Sequence, residues 1–212
     1  MVLSTRYSMI RPNYLSEIKS RISASENGAV FVAADFTDIT DKKTASVGLT
    51  RLEADGLLKR VIRGVYYKPE YSNFLREYIA PIPDNVAHAI ARNFGWTIVP
   101  CGDTALNLLA LSTQVPAVWL YVSDGAYKEY AYDNTVIRFK RTTNKDISKF
   151  SYKTALTIQA LKALGKDKVD KTVIEKLRKL LSSEEKATML NEAKIATSWI
   201  YEYIKQICRG EK

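Results

Sequence analysis

At 212 residues, 46% of them hydrophobic, the chain is long enough for one large domain or two small ones with a buried core, which excludes a disordered polymer. Its net charge of +9 points toward a polyanionic partner, because neutralised phosphates release counterions and dominate non-specific affinity. Two distant cysteines, Cys101 and Cys208, and a single histidine, His88, exclude a disulfide framework and zinc-ligand spacing and leave little for metal or triad chemistry.

The first element predicted is a helix over residues 14–24, where Leu15, Ile18 and Ile22 recur at helical spacing and Asn27-Gly28 punctuates the end. Val30–Val32 is a short β-prone run, and residues 33–38 fit one or two helical turns. Asp41 is placed to cap a second helix that Gly56 closes. Two β-prone runs, Leu58–Ile62 and Val65–Lys68, flank Arg63-Gly64 as a hairpin, and Pro69 stops the second. Helix, strand, short helix, helix, hairpin is the order of a winged helix-turn-helix, predicted here as a domain over residues 1–72.

Residues 73–212 are predicted as a second body, α/β followed by helices, so that the whole is α+β. Pro81 and Pro83 mark a linker or turn, Val86–Phe94 a short helix and Thr97–Val99 a short strand. A helix opening at Gly102 or Asp103 runs to Leu109, and Leu111–Pro116 is a polar loop. AVWLYV, YKEYAY and TVIRFKR are strand candidates, for three or four strands in all. The tail is helical: Tyr152–Leu164 up to Gly165, then Val169–Leu181 with Val173, Leu177 and Leu180 on one stripe. A Ser182/Glu185 capping box opens a last helix with Met189, Ala193, Ala196, Ile200, Tyr203 and Ile207 inward.

Charge is unevenly spread. Residues 1–70 carry a net +3, residues 71–135 a net −3 and residues 136–212 a net +9. A recognition helix needs cations and small polar groups on its outward side, because Lys and Arg reach phosphate or guanine and Ser and Thr reach phosphate or base edges. Over residues 41–55 the inward positions are Ala45, Leu49, Leu52 and part of Val47, with Gly48 allowing another backbone close. Lys42, Lys43, Thr44, Ser46 and Thr50 lie outward, with Arg51 beside them. The hairpin adds Lys59, Arg60 and Arg63, suited to the DNA backbone or the minor groove. Of Tyr66 and Tyr67, on opposite sides of the strand, one is expected under the helix and the other at phosphate. The alternative is a protein-interaction adaptor, since winged helices also serve that role. In the tail, Lys171, Arg178, Lys179 and Lys186 form either a second DNA surface, a partner face or a solvated helix face.

The stretches VFVAADF and TASVGLTRLEADGLLKRVIRGVYYKP resemble the N-terminal winged helix of AbiEi-like antitoxins. The resemblance rests on Asp35-Phe36, Leu49-Thr50-Arg51-Leu52 with Gly56, and Arg63-Gly64-Val65-Tyr66. CGDTALNLLALSTQVPAVWLYVSDG is similar to that family's second domain through Gly102, Ala105, Asn107, Leu108 and Leu111–Pro116; the likeness spans roughly residues 10–165. It implies a non-enzymatic transcriptional autorepressor that binds the operator of its own operon and counters a cognate nucleotidyltransferase-like toxin in abortive infection of phage. Asn107, Ser112, Thr113 and Gln114 are then candidates for the partner surface, with loop capping as the plain alternative. The lysine-rich tail beyond about residue 165 has no counterpart in the resemblance.

His88, Cys101 and Asp103 are the residue types of a cysteine hydrolase, and a helix start after Cys101 would lower its thiol pKa, but His88 fits a partly buried helical position better. Trp96, Trp119 and Trp199 sit in apolar surroundings and read as core. No cofactor, metal or small-molecule substrate is expected. With no apolar run near the ~18 residues of a membrane span and no signal-peptide pattern, a cytoplasmic protein with free thiols is expected.

Overall fold

The computed structural model describes residues 13–142, 147 and 149–209. The chain is a mixture of helices and small sheets and divides into two compact units, one ending at Ile82 and the other beginning at Pro83. The boundary expected after residue 72 lies ten residues later, because a further hairpin continues the first unit.

In the first unit, α1 (Tyr14–Ala24) is capped by the Asn13 side chain on Ser16 N and buries Ile18 and Ile22. Strand β1 (Val30–Val32) leads into a short 3-10 turn, Ala33–Phe36. The turn is held by the Asp35 carboxylate, which accepts from Val32 N at 2.9 Å, and by Phe36, which is fully buried. Helix α2 (Lys42–Ala54) starts at Asp41, whose carboxylate accepts from the amides of Lys43 and Thr44. Strands β2 (Lys59–Ile62) and β3 (Val65–Tyr67) form the hairpin. Gly64 between them takes φ +82, a left-handed value that disfavours any side chain. The sheet order is β1-β3-β2, both pairs antiparallel. The core gathers Ile18, Ile22, Phe31, Phe36, Leu49, Leu52 and Leu58 with Tyr66.

Two expectations about α2 need correction. Val47 is exposed rather than inward, and Gly48 is buried in its place. Gly48 admits side chains of α1 rather than another backbone: a Cβ there would lie 3.5 Å from Ile18 and 3.6 Å from Leu15. Between Pro69 and Pro81 the sequence pattern predicts no element, yet β4 (Glu70–Ser72) and β5 (Glu77–Ile79) pair antiparallel as a separate two-stranded sheet.

The second unit opens with α3 (Pro83–Phe94), which starts three residues earlier than the periodicity suggests, at the proline that suits a first helical turn. Strand β6 (Ile98–Pro100) and α4 (Asp103–Leu108) follow, then β7 (Trp119–Ser123), β8 (Lys128–Tyr132) and β9 (Thr135–Arg141). The four strands lie in the order β6-β7-β9-β8, with β7 and β9 parallel and the other pairs antiparallel. Trp96 lies against Gly125: a Cβ on that glycine would come within 2.2 Å of the indole, so only glycine fits there.

Helix α5 (Tyr152–Leu164) is buried continuously from Thr154 to Leu161, which makes it a central helix rather than an amphipathic surface one. Around it lie α6 (Lys171–Leu180), α7 (Ser183–Glu192) and α8 (Ser198–Arg209). The capping box of Ser182 and Glu185 is present. The single last helix of the sequence reading is two helices. Ala196 is extended and Thr197 O accepts from Tyr201 N, so the chain breaks at a Thr-Ser pair and restarts. The inward stripe of α6 is also shifted: Ile174 and Leu177 are buried, with Leu181 just beyond the helix, whereas Leu180 is exposed.

Candidate nucleic-acid interface

The helix α2 turns one side to the core and leaves the other in solvent. Ala45, Leu49 and Leu52 are buried, while Lys42, Lys43, Ser46, Thr50 and Arg51 are exposed and Thr44 is half-buried. The first turn contains no acidic residue. The nearest carboxylate, Asp41, is occupied as the cap: besides the two amides, its Oδ2 accepts from the Thr44 hydroxyl at 2.6 Å. Those bonds, the Thr44 hydroxyl first, hold the Asp41 carboxyl below its ordinary range. Thr44 is therefore partly consumed by the cap, and Lys43 and Ser46 are left as outward groups of the first turns.

Thr50 has a different position. Its hydroxyl lies 3.0 Å from the Tyr66 hydroxyl and 3.1 Å from Ser46 O, so it joins the exposed side of α2 to strand β3. Tyr66 is the tyrosine that packs under the helix. Tyr67 is also buried, which corrects the expectation that it reaches phosphate: its place in the central strand of the sheet, between β1 and β2, leaves it only 7% exposed.

The hairpin cations divide in the same way. Arg63 is exposed at the turn beside Gly64. Arg60 is ion-paired with Glu53 of α2 and lies 5.4 Å over the Tyr66 ring; Glu53, then Tyr66, raise its pKa further. Lys59 places its ammonium 3.4 Å from the centroid of Tyr78, a cation–π contact with the β4–β5 hairpin. Sequence spacing alone does not separate these three, because the partners of Arg60 and Lys59 come from other elements.

The tail residues behave differently again. Arg178 donates to Gln206 O at 2.8 Å and to Ile207 O at 3.4 Å, so it satisfies carbonyls in the last turns of α8. Lys171 and Lys179 are exposed and Lys186 is half-buried. Arg178, Lys186 and Arg209 line an open depression of about 450 Å³ that also contains Cys208. In the loop after α4, Asn107 donates to Gln114 O at 2.9 Å, and the Ser112 hydroxyl accepts from Gln114 N at 3.2 Å. These two residues close the loop on itself; Thr113 and Gln114 expose their side chains.

Cys101 is buried and its thiol is pushed up to about 11 by burial, the reverse of the lowering expected from a following helix. His88 instead stands 3.8 Å from Asp84 on its own helix, and burial, only partly opposed by Asp84, lowers its pKa. Tyr121, fully buried, donates to Asp84 at 2.8 Å. Burial, reinforced by Asp84, drives the Tyr121 pKa strongly upward, so this cluster is a hydrogen-bonded support of the core. Among the described residues no group of three or more His, Cys, Asp or Glu could hold a metal ion, and no helix is long and apolar enough to cross a membrane.

A family model described as a family of unknown function, DUF6088, matches residues 17–189, which covers most of both units. No curated protein matches the chain.

Proposed function

The chain belongs to the DUF6088 family, and we propose that it is a DNA-binding regulator whose first unit is a winged helix-turn-helix. In this reading α2 is the recognition helix, entering the major groove with its N-terminal turns toward base edges, and the β2–β3 hairpin is the wing. The observation that carries it is the exposed side of α2: Lys43, Ser46 and Arg51 face solvent with no carboxylate in the first turn, and Arg63 stands exposed at the hairpin turn. Phosphate contacts from Lys43 and Arg63 position the unit, and Ser46 and Thr50 are the short groups able to reach base edges. The resemblance to AbiEi-like antitoxins extends the reading: an autorepressor of its own operon that also counters a nucleotidyltransferase-like toxin through its second unit, without catalysis of its own.

A second reading, a winged-helix adaptor that binds protein, is favoured by one observation. Two of the three wing cations, Lys59 and Arg60, are engaged within the unit. Titration of full-length protein with duplex DNA at increasing salt separates the two. A regulator loses affinity steeply, with a logarithmic slope of about −0.9 for each phosphate neutralised. A flat response, or no binding at low salt, leaves the adaptor.

A further inference from the structure

The break between α7 and α8 leaves space in the second unit. The 3-10 turn Ala193–Ile195 ends at Ala196, which is extended, and α8 starts anew at Ser198. Against this break and beside α5 lies a cavity of about 260 Å³. Its lining comes from the segment before α5, from α5, from the break and from α8, so the cavity is made by packing several elements together.

The lining divides into two chemistries. Ile158 of α5 and Ile200 of α8 are buried and supply an apolar floor, to which half-buried Phe150 adds an aromatic ring. Ile195 belongs to the lining too, and it is 63% exposed, an apolar side chain left in water. Two cations, Lys149 and Lys162, share the same space, and no carboxylate lines it. Among the described residues neither lysine is ion-paired. The first turn of α8 holds no acidic residue, so the helix dipole adds potential of the same sign.

A solvated lysine by itself selects nothing. Two that open on one apolar cavity, with no counter-charge, select an anionic group, and the floor selects an apolar body attached to it. Size narrows the class. A cavity of about 150 Å³ accepts benzene, so this one has room for a ring or branched chain together with a carboxylate. It is smaller than the roughly 300–1,000 Å³ of sites for drug-sized ligands, which disfavours nucleotides and peptides.

We propose that this cavity binds a small organic acid. The carboxylate lies between Lys149 and Lys162, and a compact aromatic or branched apolar body rests on Phe150, Ile158 and Ile200, with Ile195 against its outer edge. The site belongs wholly to the second unit, and it stands whether the first unit binds DNA or protein.

The test is calorimetric titration of the full chain with acetate, isovalerate, benzoate and phenylacetate. The expected result is a single saturable site whose affinity rises by about threefold for each methylene-sized apolar increment. Benzamide, the uncharged counterpart of benzoate, should bind about tenfold more weakly, the scale of losing a charged hydrogen-bond acceptor. Lys149→Gln and Lys162→Gln should each weaken benzoate by about fivefold to tenfold. Both should leave the melting temperature unchanged, because the two side chains are exposed. Ala196→Leu fills the cavity and should abolish benzoate binding, and the lysine variants decide the question should that variant fail to fold. No saturable binding of any of these acids overturns the proposal. So does benzoate binding that survives in the double lysine variant, or benzamide bound as tightly as benzoate. Inorganic phosphate bound as tightly as benzoate overturns it too, since only a patch of cations would then be left.

Discussion

The two basic regions of this molecule differ in what their charges are doing. The tail has the larger excess, a net +9 over residues 136–212 against +3 over residues 1–70. Yet its arginine at position 178 is spent on the carbonyls of α8, and Glu175, Glu184 and Glu185 lie among its lysines. On α2 the one carboxylate at the helix start is turned back into the cap, which leaves Lys43 beside a hydroxyl-bearing surface. Net charge says that a chain can meet a polyanion; whether its cations have other engagements says where.

That contrast can be broken outright by paired substitutions. We predict that replacing Lys43, Arg51 and Arg63 together with alanine lowers affinity for duplex DNA on the order of a hundredfold at low salt and flattens the salt slope. Replacing Lys171, Lys179 and Lys186 should change affinity by less than about threefold. Fluorescence anisotropy with labelled duplex measures both, and equal losses would mean that the tail is a DNA surface too.

Arg178→Ala sharpens the same comparison from the other side. It should cost about 1–2 kcal/mol of stability in denaturant unfolding, the scale of losing hydrogen bonds from a charged donor, while leaving DNA affinity untouched. A loss of DNA binding in a variant of undiminished stability would return Arg178 to the interface.

The units should also part on pH. Burial depresses the His88 pKa below its ordinary 6.5, so the unfolded chain takes up the proton first as pH falls. The stability from the neutral imidazole is therefore complete above about 6.5 and drains away as pH drops through the lower folded value. The Asp41 carboxyl is likewise depressed, but from 3.8, so the cap of α2 survives until far more acid conditions. Thermal melts from pH 8 to pH 5 should soften the second unit first, and His88→Gln should remove most of that dependence. A wild-type melting temperature that is level across this range would contradict it.

The smallest expected effect is at Gly48. Alanine there meets Ile18 and Leu15 at ordinary contact distance, and alanine is the better helix former by up to about 1 kcal/mol. Gly48→Ala should raise the melting temperature of the first unit slightly, with DNA binding unchanged because position 48 faces α1. Destabilisation would show that α1 and α2 cannot accommodate the methyl.

The first unit was legible in the sequence because its punctuation is local. Asp41, Gly56, Gly64 and Pro69 each act within a few residues, and α2, β2 and β3 begin or end beside them. The β4–β5 hairpin was illegible for the same reason. Three-residue strands are too short to show alternation, and the turn uses Arg76 at φ 56, where a glycine or asparagine would have signalled it. The break before α8 was hidden by an apolar stripe that keeps helical spacing across it, so the Thr197-Ser198 start passed unnoticed. At the candidate site, residue types were readable and engagement was not. Glu53 for Arg60 and Gln206 for Arg178 are partners only once separate elements pack. Gly48 lies three residues after Ala45 and four before Leu52, on the buried stripe that meets α1, whereas Val47 lies off it.

Lys68 shows how a surface cation can govern the order in which a structure closes. Its ammonium donates to Ser23 O and Ser25 O, both at 2.8 Å, and its backbone pairs with Gly28 and Ala29. Those groups come from the end of α1 and the entry to β1, with Ser23 45 residues earlier in sequence. α1, α2 and the β2–β3 hairpin need only near neighbours to form, whereas β1 must find β3 across a loop that contains the whole of α2. Closing so long a loop loses chain entropy before any contact repays it, so this clasp belongs to the late stage of folding. The amides of Gly28 and Lys68, which close that clasp, are the ones whose hydrogen exchange reports its opening.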